Sequence, residues 1–249
     1  MKQAIIRKVS IILFSIGALV GFSLAAGTIW AHLEMPFYFD YSYAAVSSSN
    51  QGYSDIKCPI LLTNADSGLI TVDITNTADK AINILFQGEI SYKGDITRNV
   101  EFTPTIPVGE TNQIQFKVNK DDVVFNNLIL IRTYQFSTYK TPTRTGSCAI
   151  FMVPISFLTG NELLILLLLI SGSFILSGII LWFRNNHPMR GLPRNALTAM
   201  TTLSFLLLAA VFAGIAGWWI PGVLLVVAIV LLAVVSIGYF QTSTADDRF

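Results

Sequence analysis

Charge is scarce in this sequence. Of 249 residues, only 12% are Asp, Glu, Lys or Arg, while 53% are hydrophobic and the mean hydropathy is +0.60. Ordinary soluble domains carry about 25% charged residues, so too few ionic groups remain to cover a water-soluble globule of this size. The formal net charge of +1 also excludes a basic nucleic-acid binder and an acidic disordered chain. Other absences narrow the chemistry. No Gly-x-Ser-x-Gly elbow, phosphate loop or His-Glu-x-x-His sequence occurs. No Asn-x-Ser/Thr acceptor lies in residues 32–160, which favours a bacterial envelope over a eukaryotic cell surface. No Cys follows the N-terminal apolar stretch closely, which excludes a lipid-anchored lipoprotein. What remains is an integral membrane protein.

Spanning about 30 Å of hydrocarbon takes roughly 20 apolar residues in helix. Four uncharged stretches qualify: Val9 to Leu33, Leu163 to Phe183, Ala196 to Ile215 and Ile220 to Phe240. They predict a helix within residues 1–33, a second over 158–183 and a helical hairpin over 196–240, with a tail at 241–249. Lys2, Arg7 and Lys8 precede the first stretch, and Arg184, Arg190 and Arg194 fill the loop 184–195, with no acid in either place. Both are therefore expected in the cytoplasm. Segment 32–160 holds nine basic and twelve acidic residues, a net of −3, as expected outside. The expected topology is N-in, C-in, in a bacterial cytoplasmic membrane. All four tryptophans fall at expected interfaces: Trp30, Trp218 and Trp219 at the outer side and Trp182 at the inner. Ser23-Leu24-Ala25-Ala26 leaves a cleavable signal peptide as the alternative for the first helix. The long apolar run favours an uncleaved helix.

Between the first two helices the pattern changes. Residues 34–57 read as an aromatic juxtamembrane segment followed by a polar linker, Ser47 to Asp55. Beyond it apolar and polar residues alternate in short runs. Ile70, Val72 and Ile74 oppose Thr71, Asp73 and Thr75, and Ile114, Phe116 and Val118 oppose Gln113, Gln115 and Lys117. Similar runs surround Gly88, Asn127 to Phe136 and Ser147 to Val153, with turn clusters between them. About seven short strands in about 100 residues predict an antiparallel β-sandwich over 58–157. The fold class expected is thus membrane α+β, with an Ig-like sandwich inserted between helices one and two.

Val72-x-Ile74-x-Asn76-Thr77-Ala78-Asp79-Lys80, followed by Ile106-Pro107-Val108-Gly109-Glu110-Thr111, resembles bacterial extracytoplasmic Ig-like domains of the CARDB type. The resemblance covers about residues 58–153 and stays at the level of fold. It implies a binding or spacer module and transfers no functional residue.

The two cysteines, Cys58 and Cys148, bracket this domain on the oxidising side, so a disulfide is expected. Two unpaired buried thiols are the alternative. The two histidines, His32 and His187, lie on opposite sides of the expected membrane and cannot share a metal, a haem or a triad. The four apolar stretches contain no ionisable Asp, Glu, Lys or Arg, which argues against transport through them. The acidic residues of the outer domain are scattered, and Asp121-Asp122 lacks the alternating spacing of a calcium loop. No catalytic, cofactor or metal residue is nominated, and the chain is expected to be non-enzymatic, without a cofactor.

Surfaces for association remain. Gly17, Gly21 and Ala25 form one small-residue stripe, Ser173 and Ser177 a second, and Ala209, Ala213 and Gly217 a third, each suited to close helix packing in lipid. Phe37, Tyr38, Phe39, Tyr41 and Tyr43, with Trp218 and Trp219, form a candidate interfacial or partner patch. Expected partners are the lipid bilayer and other membrane or envelope proteins, with no nucleic acid. The leading function is presentation of the outer domain for assembly or recognition, as an accessory subunit of a membrane complex. Two alternatives stand beside it: a transport or membrane-enzyme component using helices two to four, and a surface carbohydrate-binding or adhesion module using Tyr38, Tyr41 and Tyr43.

Overall fold

The computed structural model describes residues 2–39, 55–93, 96–136, 144–186 and 191–246. Tyr41, Tyr43, most of the polar linker, His187 and Arg190 lie outside them. Helix α1 (Lys2–Tyr38) leads into ten strands: β1 (Asp55–Lys57), β2 (Leu61–Thr63), β3 (Gly68–Thr75), β4 (Ile82–Asn83), β5 (Phe86–Tyr92), β6 (Ile96–Phe102), β7 (Thr105–Ile106), β8 (Thr111–Val118), β9 (Leu128–Gln135) and β10 (Arg144–Val153). Helices α2 (Gly160–Asn185), α3 (Leu192–Ile215) and α4 (Trp219–Asp246) follow. All four helices are long and apolar enough to cross a membrane. The chain forms two compact units, one from residues 1–29 and 165–249, the other from residues 30–164.

In the helical unit, small residues let backbones approach. A Cβ on Gly17 would meet the Ser171 carbonyl at 2.7 Å, and one on Gly178 would meet Phe14 and the Ser10 carbonyl within 2.9 Å. Two hydrogen bonds bridge the same seam: Ser10 Oγ donates to the Gly178 carbonyl at 2.6 Å, and Ser171 Oγ to the Gly17 carbonyl at 2.8 Å. In an apolar surrounding neither hydroxyl has water as an alternative, so both favour this one register. Trp182 is buried against Phe14, Ala196 and Met200, and its indole N–H donates to the Pro193 carbonyl at 3.0 Å. Helix α3 ends where Gly217 takes φ +71° and the Trp218 amide donates back to the Ala213 carbonyl. That left-handed residue closes the helix, as glycine does at many C-termini.

In the β unit, β1-β3-β8 form a three-stranded sheet, β2-β10-β9-β5-β6 a five-stranded sheet, and β4 pairs with β7. Pairing is antiparallel except that β2 runs parallel to β10, so the purely antiparallel expectation is corrected. The reason is connectivity. Strand β2 enters directly beside the strand that leaves, and both head toward the start of α2. One core receives Ile70, Val72, Ile74, Ile114 and Phe116 from the first sheet and Phe86, Ile90, Ile129, Ile131 and Ile150 from the second. Each such side chain contributes about 1.5–3 kcal/mol on leaving water. The Cys58–Cys148 disulfide joins the segment after β1 to β10, closing a separation of 90 residues.

Strand β9 departs from alternation. Leu128, Ile129, Leu130 and Ile131 are all fully buried, so both faces of the sheet are covered there. Ile129 and Ile131 join the core between the sheets, whereas Leu128 and Leu130 meet Ala31, Met35 and Phe39. Helix α1 therefore runs on through Pro36 to Tyr38, beyond the apolar stretch that ends at Leu33. Packing on the sheet, rather than propensity, holds its last turns.

Candidate interaction surface

Ala31, Met35 and Phe39 recur every four residues along the last turns of α1 and the residue that follows it. All are at most 5% exposed, seated on Val124, Leu128, Leu130 and Ala149. Phe39, one of the residues of the candidate interfacial or partner patch, is buried here. Its carbonyl, at the end of the helix, accepts from Arg132 Nη1 at 2.8 Å. Arg132 also pairs with Glu89 through Nε and Nη2, and its guanidinium lies 4.8 Å from the Phe39 ring centroid and 4.9 Å from that of Tyr134. A cation there complements the partial negative charge of a helix C-terminus. Sequence reading missed Arg132 altogether. Its signal was the unbroken Leu128-Ile129-Leu130-Ile131, which calls for a cover on the outer face of the sheet.

Tyr38 is half-buried. Its hydroxyl donates to the Ile96 carbonyl at 2.9 Å, and its ring meets Phe39 and Phe125 edge-on at 5.0 and 5.9 Å. Phe37 points away and is 66% exposed. Phe125 belongs to a tight turn in which the Asn127 amide donates to the Val124 carbonyl and Phe125 and Asn126 take φ +50° and +69°. Two consecutive positive φ values are the mark of a type I′ turn, where Asn and Gly are usual and Phe is rare. Phe125 is nevertheless 52% exposed.

A second joint fixes the start of α2. Asp66 Oδ1 accepts from the Thr63 amide at 2.8 Å, and Oδ2 accepts from the Gly160 amide at 2.8 Å. Thr159 and Glu162 cap the helix reciprocally, each side chain accepting from the other's amide. Gly160 lies so close to the Leu61 carbonyl that no side chain fits. Elsewhere, Arg98 grips the buried Asp122 with two hydrogen bonds of 3.0 Å. Lys93 holds the exposed Asp121 carboxyl below the usual carboxylate range, chiefly by a hydrogen bond, and Lys57 does the same to Asp73.

The three small-residue stripes fare differently. Gly17, Gly21 and Ala25 are buried, Gly21 against Ser171 and Leu207. Ser173 and Ser177 are exposed, and Ser171 and Gly178 make the approach from α2 instead. On α3, Ala209 is exposed and Gly217 caps the helix, while Ala210, Ala213 and Gly214 are buried. Gly214 packs on Thr28. Trp218 stacks edge-on against Phe212 at 5.9 Å, and both Trp218 and Trp219 remain exposed. Among the described residues, no group of three or more His, Cys, Asp or Glu is placed to hold a metal ion.

No family model matches the sequence, and no curated protein matches it. Solved structures match over part of it. A CARDB domain from Pyrococcus furiosus, in complex with di-metal ions, is 11% identical, with TM-score 0.31 over 41% of this chain and 91% of that one. A cycloisomaltooligosaccharide glucanotransferase from Paenibacillus sp. is 19% identical, with TM-score 0.32, over 41% of this chain and 14% of that one. Bacteroides uniformis β-glucuronidase 2 is 12% identical, with TM-score 0.31, over 41% and 13%. The matched segment is thus a small part of both enzymes.

Proposed function

We propose that this chain is a multi-pass protein of the bacterial cytoplasmic membrane, N-in and C-in, that holds an Ig-like sandwich outside the membrane for assembly or recognition. On this reading it is an accessory subunit of a membrane complex and catalyses no reaction of its own. The observation that carries the reading is the seating of Ala31, Met35 and Phe39 on Leu128, Leu130 and Ala149. The last turns of a helix that includes a candidate span thus share a core with the strands, which suits a domain meant for assembly or recognition rather than catalysis. The Asp66 joint to the start of α2 supports the same reading at the second chain crossing.

Solubilisation of native membranes in a mild detergent, followed by native electrophoresis and mass spectrometry, tests it. Co-migration with other membrane proteins in fixed ratio is expected. A chain that runs alone, with no protein recovered after cross-linking, would overturn the subunit reading.

A further inference from the structure

We propose that the open edge of β8 is a strand-addition site, which takes an uncharged extended segment of another protein in the assembly as a further strand of the β1-β3-β8 sheet. The proposal rests on the assembly reading given above and names the kind of partner it needs. The ladder decides which backbone groups are open. The Asn76 amide donates to the Glu110 carbonyl, toward β8, and residues of an antiparallel strand alternate in the side to which they bond. Ile70, Val72 and Ile74 therefore bond to Phe116, Ile114 and Asn112, their partners in register. Thr111, Gln113, Gln115 and Lys117 turn their N–H and C=O groups the other way, where among the described residues no strand lies. Arg98, on β6 of the other sheet, fits this direction, since its Nη2 reaches the Lys117 carbonyl at 3.2 Å. That contact closes one end of the edge and leaves the N–H and C=O groups of Thr111, Gln113 and Gln115 in a row.

Folded proteins guard sheet edges with short strands, proline, bulges or inward-pointing charge. The other edges here are guarded. Strands β1 and β2 have three residues each, and β6 turns Arg98 inward onto the buried Asp122. Strand β8 runs for eight residues in unbroken register with β3, without proline or glycine, and carries no charge from Thr111 to Phe116. Such a neutral, regular edge is a template for another strand. Its outward side chains are already ordered: Gln115 donates to Gln113, Gln113 donates to Asp73, and the hydroxyls of Thr111 and Thr75 bond each other. They turn along β8 or toward β3 and leave the edge clear. An extended backbone matches this row, and its alternate side chains set specificity. The segment that fits is neutral, with apolar residues beside Ile114 and Phe116 and hydroxyl or amide residues beside Gln113 and Gln115. A second copy fits poorly. Antiparallel addition of β8 to itself puts the two-fold axis normal to the sheet. Ala31, Met35 and Phe39 all touch one face of the five-stranded sheet, so α1 runs along that face, at right angles to such an axis. The two copies of α1 would then point in opposite directions, which one membrane does not allow.

The test compares the full chain with Gln113→Pro and Gln113→Ala, each expressed in native membranes and run on native gels after mild solubilisation. The Gln113 N–H lies outside the ladder, so proline there blocks an added strand and spares the fold. The parent and Gln113→Ala are expected to run with another protein, and Gln113→Pro without it. Co-migration of all three would overturn the edge and leave the subunit reading standing. Loss of the other protein from both variants would overturn it too, because a side chain rather than the backbone would then be what binds. A parent chain that runs alone would remove the subunit reading and the proposal with it, and one that runs only with copies of itself would overturn the proposal in favour of a second copy. Hydrogen exchange supplies a measurement that needs no variant to fold. In the purified complex the Gln113 and Gln115 amides are expected to exchange about tenfold more slowly than in the chain stripped of its partner. Equal exchange in the two would overturn the proposal.

Discussion

Phe125 is the residue where local preference and observed structure conflict most. A bulky side chain at positive φ costs on the order of 1–3 kcal/mol, and the edge-on contact with Tyr38 returns only part of that. Phe125→Asn should therefore raise stability by about 1 kcal/mol. Denaturant unfolding of the detergent-solubilised chain would measure it, and a fall would mean that the Tyr38 contact outweighs the strain. The turn was only partly legible, since Asn126-Asn127 marks a turn but nothing local places Phe in it. Asp73 offers a pH test. Lys57 lowers its pKa in the folded state, so its contribution is complete above the ordinary carboxylate range and fades as pH falls through the lowered value. The gap in melting temperature between the parent chain and Asp73→Asn should be small, because the pair faces solvent. It should close on acidification, and a gap that widened would contradict the assignment.

Helices and strands show how far periodicity carries. On α1, the four-residue spacing of Gly17, Gly21 and Ala25 coincides with the contact face. On α2 and α3, several overlapping stripes of small residues exist, and the partner helix selects Ser171 with Gly178, and Ala210 with Gly214. Spacing alone does not choose among stripes one position apart, because adjacent stripes differ by only 100° around a helix of 3.6 residues per turn. Gly178→Leu should therefore cost about 1–3 kcal/mol by forcing α1 and α2 apart. Ser177→Leu, on an exposed position, should stay within about 0.5 kcal/mol. Thermal unfolding of the two variants side by side would decide; equal losses would mean that the seam is elsewhere. In the β unit, alternation read β3 and β8 well because one face of each meets the core. Strand β6, with Thr97, Arg98, Asn99 and Glu101, escaped notice as an edge strand largely open to solvent.

For the whole molecule, composition alone pointed to four apolar stretches, and the structure has four helices able to cross a membrane. The parallel β2–β10 pair was hidden because Leu61-Leu62-Thr63 is too short to carry a pattern. Pairing of Cys58 with Cys148 was legible because only two cysteines exist. Closing a loop of this length restricts the unfolded chain by about 4–5 kcal/mol. A Cys58→Ala, Cys148→Ala double variant should lose about that much in denaturant unfolding, and an unchanged midpoint would show that the aliphatic core suffices.

The seating of α1 on β9 and β10 also has a consequence for the order of events during synthesis. Ala31, Met35 and Phe39 leave the ribosome roughly 100 residues before Leu128, Leu130 and Ala149. At about 5–20 residues per second that delay is on the order of ten seconds. Throughout it an apolar helix face waits outside its cover, and the strands that complete it are the last of the domain to be made. A holding factor would have that interval in which to act, and translation stalled before β9 would leave the face open.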